Sequence, residues 1–275
     1  MADAGTPAGR LTRRSLLGLS LGAVAAGCGL IEKPVETLPP DRIVLGVSGG
    51  LNGWSSSILW ALQSPSLLVY GGGRVLVLQQ SGTERTAIPG AYVEAQVDPS
   101  AVARLVADAE RRGLLRADLG DPTVSDQGST RIWLHGRDGE QQVLAYAFEE
   151  TFDQYVGFLQ RRNRARVRQL IDDGVALLGD AALPYVPDRV VVLELPHRPA
   201  DEEQADVPWP GPSPASFLHP PRTRVRGAIA CGELTGTIAG EVYAAARVNQ
   251  QQRWLVDGRT TRVLAVNPLP VELDC

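Results

Sequence analysis

The chain is predicted to fold as an α+β protein in which antiparallel hairpins pack with helices, and three observations carry that expectation. Leu67-Leu68-Val69-Tyr70 and Val75-Leu76-Val77-Leu78 flank Gly71-Gly72-Gly73, which reads as two strands turning on glycine. Asp138-Gly139 separates a second pair of strand-like runs, and both residues tolerate the positive φ that a tight turn demands. Between the pairs lies an apolar stripe at helical spacing. Strands thus come in hairpins instead of alternating with helices, which argues against a parallel sheet.

In chain order, Ile43-Val44-Leu45-Gly46 supplies a first strand ahead of the glycine hairpin. Asp98 caps the next helix, Pro99 suits its first turn, and Val102, Leu105, Val106 and Ala109 form its buried stripe before Gly113 stops it. Arg131-Ile132-Trp133-Leu134 and Val143-Leu144-Ala145-Tyr146 are the strands around Asp138-Gly139. Phe152, Tyr155, Leu159, Leu170, Ile171 and Leu178 mark a longer helix with a polar middle. Val190-Val191-Val192-Leu193 is then a strand, Leu234, Ile238, Val242 and Ala245 a helical stripe, and Trp254-Leu255-Val256 with Val263-Leu264-Ala265-Val266 a closing hairpin on Asp257-Gly258. That hairpin echoes the earlier one. The echo suggests two related halves, 42–180 and 181–275, against the alternative that tryptophan, Asp-Gly and Val-Leu are common hairpin vocabulary. Pro196 to Pro221 forms a long proline- and acid-rich loop whose composition favours mobility, while Trp209 and Phe217 are apolar groups able to dock on the domain or a partner.

The N-terminal region carries an address. Arg13-Arg14 precedes an apolar run too short and too glycine-diluted to span a bilayer, and Ala25-Ala26-Gly27 leads into Cys28. These are the parts of an export signal resembling the twin-arginine lipoprotein type, with Ala25 standing where Leu is commoner. The expectation is a signal peptide over 1–27, a lipidated tether over 28–41 bearing palmitate or similar chains on Cys28, and folded structure from Arg42. Such a protein is extracytoplasmic and anchored to the cell membrane.

Composition fits that address. Residues 1–27 contain three arginines and one aspartate, so their removal takes the formal net charge from −4 to about −6, which makes nucleic acid an unsuitable partner. With 44% hydrophobic and 21% charged residues the chain has ample material for a core. Once Cys28 is assigned to lipid, Cys231 and Cys275 remain in an oxidising compartment and are expected to pair; two separate buried thiols and metal ligation are the alternatives.

Tyr70 through Val75, the helix ending at Gly113-Leu114-Leu115, Gly120-Asp121-Pro122-Thr123-Val124-Ser125-Asp126 before a strand, and Pro268-Leu269-Pro270 before Cys275 together resemble uncharacterised lipoproteins of high-GC Gram-positive bacteria. The resemblance implies an envelope location and a Cys231 to Cys275 bridge, and it transfers no catalytic residue.

The candidate chemistry is sparse. Gly46-Val47-Ser48-Gly49-Gly50 fits G-x-S-x-G between a strand and a possible helix at Trp54 to Leu62, which would make Ser48 a nucleophile on a sharp elbow, with Asp173 or Asp206 and His197 or His219 as partners. Against it, Ser48 lies on the first strand, without the earlier strands that normally build an oxyanion hole. The other reading is a flexible glycine-rich loop. His135, His197 and His219 lack metal-ligand spacing, and Asp118, Asp121 and Asp126 lack the calcium-loop pattern, so neither metal nor cofactor is expected. Arg161, Arg162, Arg164, Arg166 and Arg168 form a basic block, read either as a face toward anionic head groups or as a solvated face paired with Asp172 and Asp173. The functional expectation is a lipid-anchored, non-catalytic module that binds another envelope component, ahead of a serine hydrolase using Ser48 and of a solute-binding lipoprotein.

Overall fold

Two antiparallel sheets, each with helices laid on it, account for the chain in the computed structural model, which describes residues 38–83, 85–137, 139–196, 207–222, 227–269 and 275. The first sheet comprises β1 (Ile43–Ser48), β2 (Leu67–Tyr70), β3 (Arg74–Gln80), β4 (Ala91–Gln96), β5 (Ser129–Gly136), β6 (Gly139–Tyr146) and β7 (Leu183–Pro184), in the spatial order β6-β5-β1-β2-β3-β4-β7. The second comprises β8 (Arg189–Leu195), β9 (Val207–Pro208), β10 (Ala230–Thr235), β11 (Arg253–Val256) and β12 (Thr260–Asn267), ordered β10-β8-β12-β11-β9, with β9 joining β11 in parallel. The α+β expectation holds.

Side-chain parity explains why several strands read as unbroken apolar runs. On β2, Leu67 and Val69 enter the core beneath the helices α2 (Pro99–Arg111) and α3 (Phe158–Ala176), whereas Leu68 and Tyr70 enter a separate cluster on the opposite face with Trp133, Tyr185 and Leu269. On β8 and β12 the same split occurs. Val190, Val192, Leu264 and Val266 face α4 (Thr237–Val248), while Val191, Leu193, Val263 and Ala265 face α1 (Ser57–Leu62). Both faces of these strands are buried, so alternation of hydrophobicity disappears from the sequence.

Local signals are realised where they were strongest. Asp98 accepts a hydrogen bond from the Ser100 amide at 2.9 Å, Pro99 occupies the first turn, and Gly113 takes φ 59° to end the run after α2. Asp257 and Gly258 both have positive φ, 53° and 66°, and the Arg259 amide donates to the Val256 carbonyl, the geometry of a type I′ hairpin turn. At the corresponding turn between β5 and β6, Gly139 takes φ 90°, and Asp138 lies outside the described residues.

Other expectations are corrected. Leu234 belongs to strand β10, and the buried face of α4 is Ala239, Val242, Tyr243 and Ala246. The helix expected from Phe152 is broken. Residues 150–155 form a 3₁₀ turn, Gly157 interrupts, and α3 starts at Phe158 with Val167, Leu170 and Gly174 inward while Tyr155 and Leu159 are exposed. Structure begins before Arg42, since Leu38 packs into the first core and the Gly72 amide donates to the Pro40 carbonyl. In the long loop, Trp209 meets Trp254 edge to face at 5.1 Å and Phe217 packs on the second core, so both aromatics dock on the domain.

The two hairpins that echo each other occupy different places. In the first sheet the leading strand β5 is the inner one, beside β1; in the second the trailing strand β12 is inner, beside β8. Trp133 lies on the face away from α2 and α3, whereas Trp254 lies beneath α4. The likeness is hairpin vocabulary without equivalent position.

The halves are also laced together. α1, which arises between β1 and β2, lies on the second sheet against β8 and β12, and β7 completes the first sheet from beyond residue 180. Buried Asn267 at the end of β12 donates to the carbonyls of Ala61 and Gln63 and accepts from Ser64 Oγ and the Leu269 amide. It thereby satisfies two orphan carbonyls where α1 ends. Tyr243 of α4 donates to the Gly90 carbonyl and Arg247 to that of Pro89. Residues Val35–Cys275 accordingly form one compact unit.

Candidate functional site

The lacing of α1 onto the second sheet leaves a cavity of about 620 Å³ at its N-terminal end. One wall is Trp54 and the serines Ser55, Ser56 and Ser57, which precede and open α1; the opposite wall is Gln250, Gln251 and Arg253, at the turn from α4 into β11. Arg85 and Ala87 from the β3–β4 connection, Leu195 at the end of β8 and Val263 of β12 complete the principal surfaces. Polar hydroxyl, amide and guanidinium groups alternate here with apolar floor.

Both walls are held from behind. Asn52 forms an Asx turn, its side chain accepting from the Trp54 amide and from Ser55 Oγ, each at 3.1 Å. Trp54 is 81% exposed, yet its indole N–H donates to Asp126 Oδ1 at 3.1 Å, which pins the ring. On the far side Gln252 is fully buried with φ 53° and donates to the carbonyls of Ala246 and Asn249, and Asn249 donates to the Arg253 carbonyl. These buried amides cap α4 and set the direction in which Gln250, Gln251 and Arg253 leave it. Among the described residues the lining carries two arginines and no carboxylate.

Ser48 lies elsewhere. It is the last residue of β1, paired with Arg131 of β5, and α1 begins only nine residues later, so strand, sharp turn and helix do not follow one another as an elbow requires. Ser48 is also absent from the residues with positive φ. No described histidine bonds to it: His135 is four positions along β5 from its partner, about 13 Å away, and accepts from Arg42 at 2.7 Å. His219 lies beside Cys231 in the second sheet, its ring nitrogens 3.1 Å from the Phe217 carbonyl and 2.5 Å from the Cys275 backbone oxygen. Asp173 accepts from Gln169, and His197 and Asp206 lie outside the described residues. Packing accounts for two of the three glycines of the segment, Gly46 and Gly50. A Cβ at Gly46 would stand 2.1 Å from the Trp133 ring and one at Gly50 1.9 Å from the Ser129 carbonyl oxygen, whereas one at Gly49 would meet nothing.

Near Ser48 a smaller hollow of about 190 Å³ is lined by Gly49, Ser64, Ser66 and Tyr92. Tyr92 donates to the Pro65 carbonyl at 2.8 Å and burial pushes its phenol pKa well up, so it stays protonated there. No group of three or more metal-ligating side chains occurs among the described residues.

Cys231 and Cys275 are brought together at disulfide distance, with Cα atoms 5.7 Å apart. Cys28, Arg13 and Arg14 lie outside the described residues, and no helix among those described is long and apolar enough to cross a membrane.

The basic block divides by helical period, a feature that spacing alone did not disclose. Arg164 is fully buried, its Nε donating to Asp153 Oδ1 at 2.8 Å and its terminal nitrogens reaching the carbonyls of Tyr146 and Ala147. Arg168, one turn on, bonds to Asp153 Oδ2 and to the Phe148 carbonyl, and both guanidiniums lie over the Phe148 ring. Two of the five arginines are thus structural, and their acid is Asp153, in place of Asp172 and Asp173.

Comparison with protein-family models, with curated proteins and with solved structures finds no match to this chain.

Proposed function

We propose that this is an acyl-anchored component of the cell envelope that binds its target without transforming it, and that the cavity at the N-terminal end of α1 is where binding occurs. The observation that carries the reading is the cavity itself. At about 620 Å³ it falls in the range of small-molecule sites, and it offers hydroxyls, side-chain amides and two guanidiniums beside an apolar floor. Such a set orients a polar or anionic group by hydrogen bonds, and none of its described members is a base placed to activate a serine. The envelope address rests on Arg13-Arg14, the short apolar run and Cys28. Antiparallel hairpins support this reading over a two-lobed solute-binding protein.

Two experiments test it. Cells fed labelled palmitate should label the parent protein and leave Cys28→Ala unlabelled; an unlabelled parent removes the anchor. Protein extracted from envelopes and sprayed under native conditions should carry a bound small molecule that Arg85→Glu and Gln251→Trp both release. Equal retention in both variants would place binding elsewhere, and ester hydrolysis abolished by Ser48→Ala would replace the reading with the hydrolase alternative.

A further inference from the structure

The first turn of α3 presents an aromatic and basic face that neither core nor cavity uses. Phe158 is 75% exposed, Leu159 68% and Tyr155 48%. Scattered exposed apolar residues need no explanation, but three within five positions of chain make a patch. Arg162 and Arg166 follow Phe158 at steps of four, so the three residues stand in one row along the helix. Both arginines are exposed, and neither makes an ion pair among the described residues, in contrast to Arg164 and Arg168 on the inward side. Arg161 is tied back, its Nε donating to the Asp153 carbonyl at 3.2 Å.

We propose that this face seats on a bilayer surface rich in acidic phospholipid, as a second membrane contact beside the acyl chains on Cys28. The proposal rests on the anchored reading above. Rings at the head-group level with guanidiniums reaching phosphate oxygens are the composition of an interfacial contact. The charge around the patch fits as well. Asp153 is neutralised by two arginines, and Asp172 and Asp173 lie toward the other end of the helix; the acids that remain nearby are Asp118, which accepts from Gln160 and the Gly120 amide and keeps its charge, and Glu150 at the start of the 3₁₀ turn. The body as a whole carries a net negative charge, and this row of arginines is a local exception to it.

Tether length selects a bilayer over another occupant. Leu38, which packs into the core that α3 covers, stands ten residue steps beyond Cys28. Fully extended they reach roughly 35 Å, so the acyl chains would hold the body within that distance of the head groups. At so high an effective concentration, a contact too weak to act in free solution is occupied much of the time.

The test uses the non-acylated chain beginning at Gly29, which retains every described residue and the whole compact unit. It is sedimented with vesicles of phosphatidylcholine alone or mixed with phosphatidylglycerol. Sedimentation with the mixed vesicles that declines as salt is raised is the expected result. Arg162→Gln with Arg166→Gln should weaken it about 30-fold, at about fivefold per arginine. Phe158→Ser with Leu159→Ser should weaken it as well, whereas Leu144→Ser, exposed on β6, should leave it unchanged. These positions are exposed, and unchanged thermal melting would confirm that each variant is folded. Absence of the parent from the mixed vesicles, or equal sedimentation of parent and both paired variants, would overturn the proposal. So would a concentration-dependent dimer abolished by Phe158→Ser with Leu159→Ser, which would assign the face to a second copy. Palmitate labelling reads the anchor alone, so failure of the anchor and failure of the face are distinguishable.

Discussion

Replacing Asp153 by alanine should be among the most damaging single changes to this protein, although the residue belongs to a short 3₁₀ turn. Its carboxylate is 9% exposed and sits between Arg164, whose side chain is 0% exposed, and Arg168 at 22%. Removal leaves a guanidinium in the interior without its counter-charge, a loss that typically costs 3–5 kcal/mol. Two features hold the cost to the lower end. The terminal nitrogens of Arg164 keep the carbonyls of Tyr146 and Ala147, and Arg168 can turn to water. We therefore expect a loss of about 3 kcal/mol, which for a domain of this size is a fall in Tm of about 6–12 °C. Chemical denaturation should show a lower midpoint with an unchanged slope, because the surface exposed on unfolding is the same. The triple variant Asp153→Leu, Arg164→Met and Arg168→Met should recover much of the loss, since no charge then remains to be desolvated. A loss below about 1 kcal/mol for Asp153→Ala, the range of exposed ion pairs, would refute the reasoning.

Asn267→Ala removes four hydrogen bonds, three of them at the end of α1, and should cost about 2–4 kcal/mol by equilibrium unfolding, with faster hydrogen exchange concentrated around Leu62 to Ser64. Gly46→Ala drives a methyl into the Trp133 ring and should cost about 1–3 kcal/mol, while Gly49→Ala, with open space, should melt like the parent. Cys275→Ser opens a loop of 44 residues and should lower stability by about 4 kcal/mol on the chain-entropy account; equal melting of reduced and oxidised protein would show that the bridge contributes nothing. Hydrogen bonds from Arg189 to Glu233 and from Ser100 to Asp98 hold both carboxyls below their ordinary values in the folded state. Their contribution is therefore complete above the unfolded carboxylate range, about pH 4, and is lost as pH falls through the lower folded values. Tm should be level from neutrality toward pH 5 and fall below about pH 4, with a shallower fall in Glu233→Gln.

What the sequence disclosed was local. Asp98 and Pro99 mark a helix start through their own backbone chemistry, and Asp257-Gly258 marks a turn because both residues accept positive φ, so neither needed a distant partner to be read. Leu234 stands at helical spacing from Ile238, which also suits a strand, and its pairing with Val190 of β8 is set by residues more than forty positions away. Spacing places Arg164 on an exposed face, toward head groups or solvent, because its acid lies eleven positions earlier, across the break at Gly157 that the periodicity does not show. The cavity was invisible for the same reason. Its serines, glutamines and arginines come from segments that meet only because α1 packs on the second sheet.

That docking has a consequence for how the chain is made. α1 is synthesised early, yet its resting place is built from β8 and β12, and Asn267, which closes its last turn, follows Gln63 by 204 residues. At ribosomal rates of about 5–20 residues per second, at least about ten seconds separate the two. During that time Leu62 and Ala61 have no native surface to cover. A nascent chain can form the hairpins of the first sheet and the core beneath α2 and α3 as they emerge, but it cannot cover α1 or finish the second core until β12 has emerged. A factor that shields apolar segments on the unfinished chain would find its substrate in the stretch from Ser57 to Leu62.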